Sequence, residues 1–281
     1  MDWSKAKTIL IISFIIVNVL LGLALMNDKY EAETTVSEDF VQDSIRLLAN
    51  KNISVDTELP REIPSLESLI VEYETYDISY LKEKFFQGEG EVSRLGEGLV
   101  EISDENKRLS ILNDKHLIYT ANSSNKAYDI DDDDEAVDLS KELLVDLGFD
   151  ISDMVLSHVK RVDNIYHLEF SKVFKERFLE SAFTNIQLDD TGIKKLERLW
   201  LNVIEIGETP IFISSAPKSI LGLLSMKEVY GKNIKDISLC YYFDPEKHDY
   251  IQNPLQAKQG RAIPAWRIQF DDGYKVFIDN Y

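Results

Sequence analysis

The sequence predicts an α+β protein with a single apolar N-terminal helix, followed by a larger polar region in which helices pack on antiparallel sheets. Three observations lead to this class. Residues 8–26 form a run without charged side chains. The chain of 281 residues is otherwise acidic, with a net charge of −19. Beyond the apolar run, a helical pattern followed by strand patterns recurs about three times.

The apolar run 8–26 is predicted to be a transmembrane helix, because about 20 apolar residues are needed to span the hydrocarbon core as a helix. Lys5 and Lys7 precede the run, whereas its far flank is mostly acidic. Positive charges stay on the cytoplasmic side, so residues 1–7 are expected in the cytoplasm and the large region outside it. Trp3 is expected at the inner headgroup level, beside Lys5 and Lys7.

A cleaved signal peptide is the alternative interpretation of the same run. Signal peptides usually have an apolar region of about 7–15 residues that ends in small residues two positions apart. The run here is longer, and its exit, Leu23-Ala24-Leu25-Met26-Asn27, lacks such a pair. An uncleaved anchor is therefore predicted.

Composition limits the possible partners of the acidic region. A strongly negative surface repels phosphate backbones, so nucleic acid is not an expected partner. The only cysteine is Cys240, which excludes a disulfide framework and is expected to be a buried thiol in a strand.

The first half of the outer region is predicted to cover residues 37–125, after a juxtamembrane linker at 27–36. Ser37 has the character of an N-cap, and acidic residues follow it in the first turn, so a helix is expected from there to about Asn50. Strands are expected at 68–76, 91–103 and 108–120, the last interrupted by a turn at Asn113-Asp114.

The second half is predicted to cover residues 131–281, after an acidic run that begins at Asp131. Helices are expected at about 134–147, closed by Gly148, and from Ser215 to before Gly231. The strands of this half are expected at 154–162, 165–174, 182–188, 193–206, 234–243, 263–270 and 274–278. Asp163-Asn164 and Asp272-Gly273 are expected hairpin turns.

No standard catalytic or cofactor arrangement appears in the sequence. The acidic segment 129–134 has Asp134 where a calcium loop needs glycine, and is better explained as a helix start. The four histidines, His116, His158, His167 and His248, lack the spacing of metal ligands, although His158 and His167 could approach each other across a hairpin. No nucleophile motif of the G-x-S-x-G type occurs. A protein that is not an enzyme, without cofactor or metal, is therefore expected.

One face of the predicted membrane helix carries a polar and a small residue. Phe14, Asn18 and Gly22 lie four residues apart and therefore share a side of the helix. An amide in hydrocarbon favours pairing with another helix, and glycine allows a close approach. A contact face for a partner helix and a single tolerated polar residue are both compatible with this spacing.

The two ends of the chain resemble the YycI (WalI) family. At the N-terminus the resemblance lies in Met1-Asp2-Trp3-Ser4-Lys5, in Lys7 and in the apolar run with Asn18. At the C-terminus it lies in Ile263-Pro264-Ala265-Trp266-Arg267-Ile268, followed by Asp271-Asp272-Gly273-Tyr274.

This resemblance implies a non-catalytic accessory protein of the WalK/WalR (YycG/YycF) two-component system. The expected partners are a WalK-like sensor histidine kinase, a YycH-like accessory protein and the membrane, in control of cell-wall metabolism. The expected location is the cell membrane of a Gram-positive bacterium, with one span and an extracytoplasmic region of PepSY-like units. The alternative function is an anchored protein that binds or processes peptidoglycan or another ligand outside the cell.

Overall fold

The computed structural model describes residues 3, 7, 10–22, 35–247 and 253–279. Residues 10–22 form a helix, α1, in which every side chain is exposed. Within the described ranges no helix reaches the length and apolar character needed to cross a membrane. The ends of the expected span, at 8–9 and 23–26, lie outside the described residues, as do Lys5 and most of the expected linker.

The remaining elements form a mixed, mostly β architecture. The helices are α2 (Glu38–Ala49), α3 (Ile78–Phe86), α4 (Asp133–Asp146) and α5 (Ala216–Ser219). The strands are β1 (Ser54–Val55), β2 (Ser65–Tyr73), β3 (Glu91–Gly96), β4 (Leu99–Ser103), β5 (Lys107–Leu112), β6 (His116–Ala121), β7 (Met154–Val162), β8 (Ile165–Phe174), β9 (Arg177–Asp189), β10 (Gly192–Leu199), β11 (Leu201–Phe212), β12 (Asn233–Tyr242), β13 (Gln259–Phe270) and β14 (Lys275–Ile278). The expected α+β class is confirmed at this level, and the PepSY-like character of its units stays a prediction.

The chain folds into two compact units. The first unit is built from the described residues within 1–65, 212–238 and 268–279. In it, α2 packs on α5 and on the 3₁₀ turn Ile220–Ser225 that follows. The side chain of Ser37 accepts a hydrogen bond from the amide of Phe40 at 3.4 Å, and this cap starts α2 as expected. Strand β1 pairs in parallel with the start of β12.

The second unit contains residues 66–211 and 239–267 and holds the larger sheet. Strands β3 to β6 form an antiparallel meander, and β6 pairs in turn with β10. The sheet continues antiparallel through β9, β8 and β7. The end of β12 joins β9 in parallel, the start of β13 pairs with β2, and β2 neighbours β11. Helices α3 and α4 contribute Leu81, Phe85 and Leu144 to the buried core of this unit.

The two units do not coincide with the expected halves at 37–125 and 131–281. Strand β6 precedes the expected boundary and β10 follows it, yet the two pair from Lys195–Thr120 to Leu199–His116. The acidic run therefore connects elements of one sheet. Because paired strands share backbone hydrogen bonds, both belong to one unit.

Most individual elements lie where the sequence predicts them. Among the differences, the single strand expected at 91–103 is the antiparallel pair β3 and β4, and the short β1 was not predicted. Helix α3 falls in a stretch for which no element was predicted. The single strand expected at 193–206 is two strands, because the chain leaves its partners β6 and β9 at Trp200 and joins β2 as β11. The third helix is one α-helical turn with Pro217 inside it, followed by 3₁₀ turns at Ile220–Ser225 and Lys227–Val229.

Candidate functional site

Helix α1 presents the predicted contact residues on an open face. Phe14 is 69% exposed, and no atom lies within 4 Å of the position that a Cβ would take at Gly22. The side-chain amide of Asn18 donates a hydrogen bond to the carbonyl of Phe14 at 2.8 Å. This bond within the helix uses one of the two amide N–H donors, which lowers the cost of placing Asn18 in apolar surroundings.

The predicted membrane-interface anchors are described only in part. Trp3 is 82% exposed and Lys7 is also exposed, whereas Lys5 lies outside the described residues. Both exposed side chains belong to helical positions of the N-terminal segment. Their position relative to a membrane stays a prediction.

A cleft of about 430 Å³ in the second unit is a concave site that could hold a small ligand. Helices α3 and α4 contribute to its wall together with β5, β6 and the start of β10. Its lining combines aliphatic and aromatic side chains with two lysines: Lys84, Phe85, Gln87, Lys107, Tyr119, Ala121, Ser123, Ala127, Tyr128, Leu143, Asp146, Leu147, Thr191, Gly192 and Ile193.

The two lysines of the cleft are held at the ends of helices. The Lys84 ammonium donates to the carbonyl of Asp146 at 3.4 Å, and the Lys107 ammonium donates to the carbonyl of Phe85 at 3.3 Å. These carbonyls belong to the last turns of α4 and α3, where a cation complements the helix dipole. Each ammonium has three donors, so this geometry is compatible with a further acceptor.

Tyr119 supplies a phenol on the sheet side of the cleft. Burial raises its pKa to about 12, and the charge of Asp104 acts in the same direction. The phenol therefore stays protonated over the physiological range and can act as a hydrogen-bond donor.

The wall of the cleft depends on α3, the helix that the sequence reasoning missed. The Asp77 carboxylate caps it by accepting a hydrogen bond from the amide of Tyr80 at 2.9 Å. The signals that could have revealed this helix are Asp77 as N-cap and the spacing of Leu81 and Phe85 on one face. Opposite it, Gly148 closes α4 at φ +90, where a Cβ would collide with the Tyr80 hydroxyl, so glycine is required.

A buried cation cluster lies elsewhere in the second unit. The Arg198 guanidinium, 1% exposed, donates to the carboxylate of Glu74 at 2.9 Å and to the hydroxyl of Thr184 at 2.7 Å. It also donates to the Tyr76 hydroxyl at 3.2 Å and lies 4.2 Å from the centre of the Trp200 ring. Burial raises the pKa of Tyr76. Because its partners surround Arg198 on several sides, the cluster has the character of a structural network.

Two further buried cations are paired in the same way. Arg267 donates to Glu180 at 2.8 Å, and Lys172 forms an ion pair with Asp153. Arg267 belongs to the C-terminal motif of the sequence, and its guanidinium lies 4.2 Å from the centre of the Phe178 ring. The first pair connects β13 with β9, and the second connects β8 with the residue that precedes β7.

Three of the histidines can be located, and His248 lies outside the described residues. Across the β7–β8 hairpin, His158 lies opposite Glu169 and His167 lies opposite Lys160, so the two histidines are diagonal neighbours on one face and not a directly opposed pair. His116 lies 3.0 Å from the Glu197 carboxylate. In the part of the chain that the structure describes, no group of three His, Cys, Asp or Glu side chains is arranged to hold a metal.

The acidic run and the cysteine have the expected local structures. Asp132 caps α4 by accepting a hydrogen bond from the amide of Glu135 at 2.9 Å. Cys240 is buried in β12. The run at 129–134 is thus the approach to a helix, as the sequence indicates.

Comparison with known proteins gives similarity at the level of fold. No family model and no curated protein matches this sequence. An uncharacterized protein from Eubacterium rectale aligns with a TM-score of 0.52 and 11% identity over 84% of this chain and 94% of its own. YycH from Bacillus subtilis aligns with a TM-score of 0.51 and 15% identity over 79% of this chain.

The alignment with YycH covers 56% of the YycH chain, so the present chain spans little more than half of that protein. The C-terminal domain of YpeB from Bacillus megaterium aligns with a TM-score of only 0.36 at 10% identity, over 88% of this chain and all of that domain. A TM-score this low supports no argument about fold.

The two alignments with TM-scores above 0.5 show that the chain has a mixed, mostly β fold similar to those of YycH and of the Eubacterium rectale protein.

Proposed function

We propose that this chain is a non-catalytic, membrane-anchored regulator that binds a WalK-type sensor histidine kinase together with a YycH-like companion. The observation that carries the proposal is the similarity of fold to YycH, at a TM-score of 0.51 over 79% of this chain. The resemblance of both chain ends to the YycI family supports it independently. The C-terminal motif lies in β13 and in the turn that leads to β14, a hairpin as the resemblance implies.

The proposed anchor is the segment 8–26, with its N-terminus in the cytoplasm and the two units outside the cell. Large apolar side chains are exposed on all sides of α1, at Leu10, Ile11, Ile12, Phe14, Ile15, Ile16, Val17, Val19, Leu20 and Leu21. A helix that is apolar all round is stable when it is surrounded by apolar material, such as lipid or partner helices.

The proposed mechanism is a shift in the balance between two states of the kinase. A helix that packs differently against the two states changes their ratio by its difference in affinity. A difference of about 1.4 kcal/mol changes that ratio tenfold. The face formed by Phe14, Asn18 and Gly22 is the proposed contact, because Gly22 leaves space for a neighbouring helix.

The test uses two variants of the full chain, Asn18→Leu and Gly22→Leu. Each is expected to weaken co-purification with the kinase and to change kinase output, since the first removes the amide and the second fills the space for a neighbouring helix. Ile16→Phe, which adds bulk on the opposite side of α1, is the control and should leave both unchanged. Association at the wild-type level in both leucine variants would contradict the proposed contact face.

Ligand recognition is a second candidate function. It is favoured by the cleft, whose wall contains aromatic side chains and the two lysines Lys84 and Lys107. The ligand would be a peptidoglycan fragment or another extracytoplasmic small molecule. Ala127→Trp would fill the cleft, and is expected to abolish binding of muropeptides while leaving association with the kinase intact. A chain that begins at residue 30 should keep ligand binding but lose regulation of the kinase. If wild-type protein binds no muropeptide, this second candidate fails and the first is unaffected.

A further inference from the structure

In the described part of the second unit, three strands lie at edges of its sheet. Among the described residues β3 pairs with β4, β7 pairs with β8, and β11 has β2 as its neighbour. An edge strand presents backbone N–H and C=O groups that can pair with another chain. Proteins usually block such edges with lysine, proline, bulges or short strands.

Two of these edges carry features that block pairing. Strand β3 has six residues, contains Arg94, and has a register irregularity between Arg94 and Gly96. Strand β7 carries Lys160 and Arg161, and its register shifts between Leu156 and His158. Charged side chains and bulges both disfavour the addition of another strand.

Strand β11 has no basic side chain at its edge, and its charged residues are glutamates, which repel an acidic strand but not a basic one. It has 12 residues and contains no lysine or arginine. Ile204 is 52% exposed and Ile206 is 38% exposed, and the strand is exposed at most positions from 202 to 210. Pro210, which has no backbone N–H, limits pairing only near the C-terminal end.

The charges around this edge determine what kind of strand could add to it. Glu205 and Glu208 are exposed in β11, and Glu67 and Glu72 are exposed in the neighbouring β2. Neither strand contains a basic residue. A second copy of this chain would bring two further glutamates of β11 beside these four, and like charges on paired strands are destabilising.

We propose that β11 is a strand-addition site for a different protein, which supplies an extended segment with alternating apolar and basic residues. Its backbone would pair with the open edge at 202–208, and its apolar side chains would cover Ile204 and Ile206. Its lysines or arginines would lie on the other face of the strand, beside Glu205. The proposal deepens the proposed function by naming the surface of the outer region through which a kinase or companion docks.

The first experiment uses peptides as probes of the full chain in detergent. A peptide of about eight residues that alternates valine and lysine is compared with one that alternates valine and glutamate. Only the lysine peptide is expected to bind, and it should slow hydrogen exchange of the backbone amides at 202–208. Ile204→Lys with Ile206→Lys should weaken this binding roughly tenfold, since both apolar cross-strand pairs are lost and charges repel.

Val155→Lys is the matched control, because Val155 is an exposed apolar residue of the edge strand β7. It should bind the lysine peptide as wild type does. Equal binding of the two peptides, no binding of either, or unchanged exchange at 202–208 would overturn the proposal. Protection that increases with the concentration of this chain alone would also overturn it, because it would indicate self-pairing.

The second experiment uses the complex with the WalK-like kinase and the YycH-like companion. The double lysine variant is expected to lower association roughly tenfold, whereas Val155→Lys should leave it unchanged. If wild type associates and the double variant associates equally, the strand-addition proposal fails and the proposed function stands. If wild type does not associate at all, the proposed function fails. The peptide experiment then still tests whether β11 accepts an added strand, because it does not need the kinase or the companion.

Discussion

At the scale of single residues, the second unit depends on buried cations that are fixed by several partners each. Arg198 connects Glu74, which immediately follows β2, with Thr184 of β9, and it stacks on Trp200. Removing one member of such a group leaves the others desolvated without compensation. Stability should therefore be more sensitive to Arg198 than to any exposed arginine.

Arg198→Ala is expected to lower the free energy of unfolding by about 3 kcal/mol, the low end of the range for broken buried pairs, because Glu74 is partly exposed. Denaturant unfolding of the purified protein measures the change. Arg46→Ala is the control, since the Arg46–Asp43 pair is exposed and such pairs contribute about 0–1 kcal/mol. Similar losses in the two variants would contradict the structural role of Arg198.

Tyr119 provides a pH-dependent contribution to stability. Burial raises its pKa to about 12 in the folded protein, above about 10 in the unfolded chain. The folded state therefore holds the phenolic proton more tightly, and the stabilising contribution is complete below about pH 10.

This contribution should be lost as the pH rises from about 10 to about 12. Tyr119→Phe removes the titrating group. Between about pH 10 and 12 the unfolding free energy of the variant should therefore fall by on the order of 1–2 kcal/mol less than that of wild type. Unfolding curves measured at several alkaline pH values test this. Parallel pH profiles of variant and wild type would contradict the raised pKa.

At the scale of elements, α3 determines the shape of the cleft because it supplies one wall. The sequence predicts no element in this stretch. It has nine residues and is held by its cap at Asp77 and by the burial of Leu81, Phe85 and Phe86. A helix this short is marginal without its cap and its tertiary contacts. Its geometry, and with it the shape of the cleft, should respond to changes at Asp77.

Asp77→Ala is expected to lower the free energy of unfolding by about 1 kcal/mol, because the amide of Tyr80 loses its acceptor. Asp77→Asn should retain most of the stability, since asparagine caps about as well as aspartate. Thermal or denaturant unfolding measures both. An alanine variant as stable as the asparagine variant would show that the cap contributes little.

Elements with strong local signals could be predicted, and those that depend on distant partners could not. Ser37 caps a helix that begins where its capping pattern indicates, α4 begins within one residue of its expected start, and β7 and β8 match their expected bounds. The break at Trp200 has no local signal, because it reflects a change of strand partners. The third helix was expected to be longer than the four-residue α5, because an apolar stripe does not distinguish α from 3₁₀ turns.

The candidate sites likewise could be predicted only where their residues lie close together in the sequence. The face of Phe14, Asn18 and Gly22 could be identified from spacing alone, because all three belong to one helix. The cleft brings Lys84 and Lys107 together with Tyr128 and Gly192, which are separated by long stretches of chain. The open edge of β11 likewise depends on which strands pair, and pairing is a non-local property.

At the scale of the whole molecule, the division into units determines which fragments can fold. The second unit contains the meander β3–β6 as well as strands β7 to β10, which follow residue 131. A fragment of residues 131–281, the expected second half, would lack β6 and β2. It would expose the edge of β10 over the five residues that pair with β6, and the start of β13 over the four that pair with β2.

The fragment 131–281 is therefore expected to aggregate or to remain without cooperative unfolding, because unpaired apolar edges and lost core residues destabilise it. A chain of residues 35–281 keeps every strand pair of the described structure and should unfold cooperatively with the circular dichroism of a mixed α/β protein. Expression of both fragments, followed by hydrogen exchange and thermal unfolding, tests the difference. Slow exchange in β10 of the shorter fragment would mean that this part of the sheet is stable without β6.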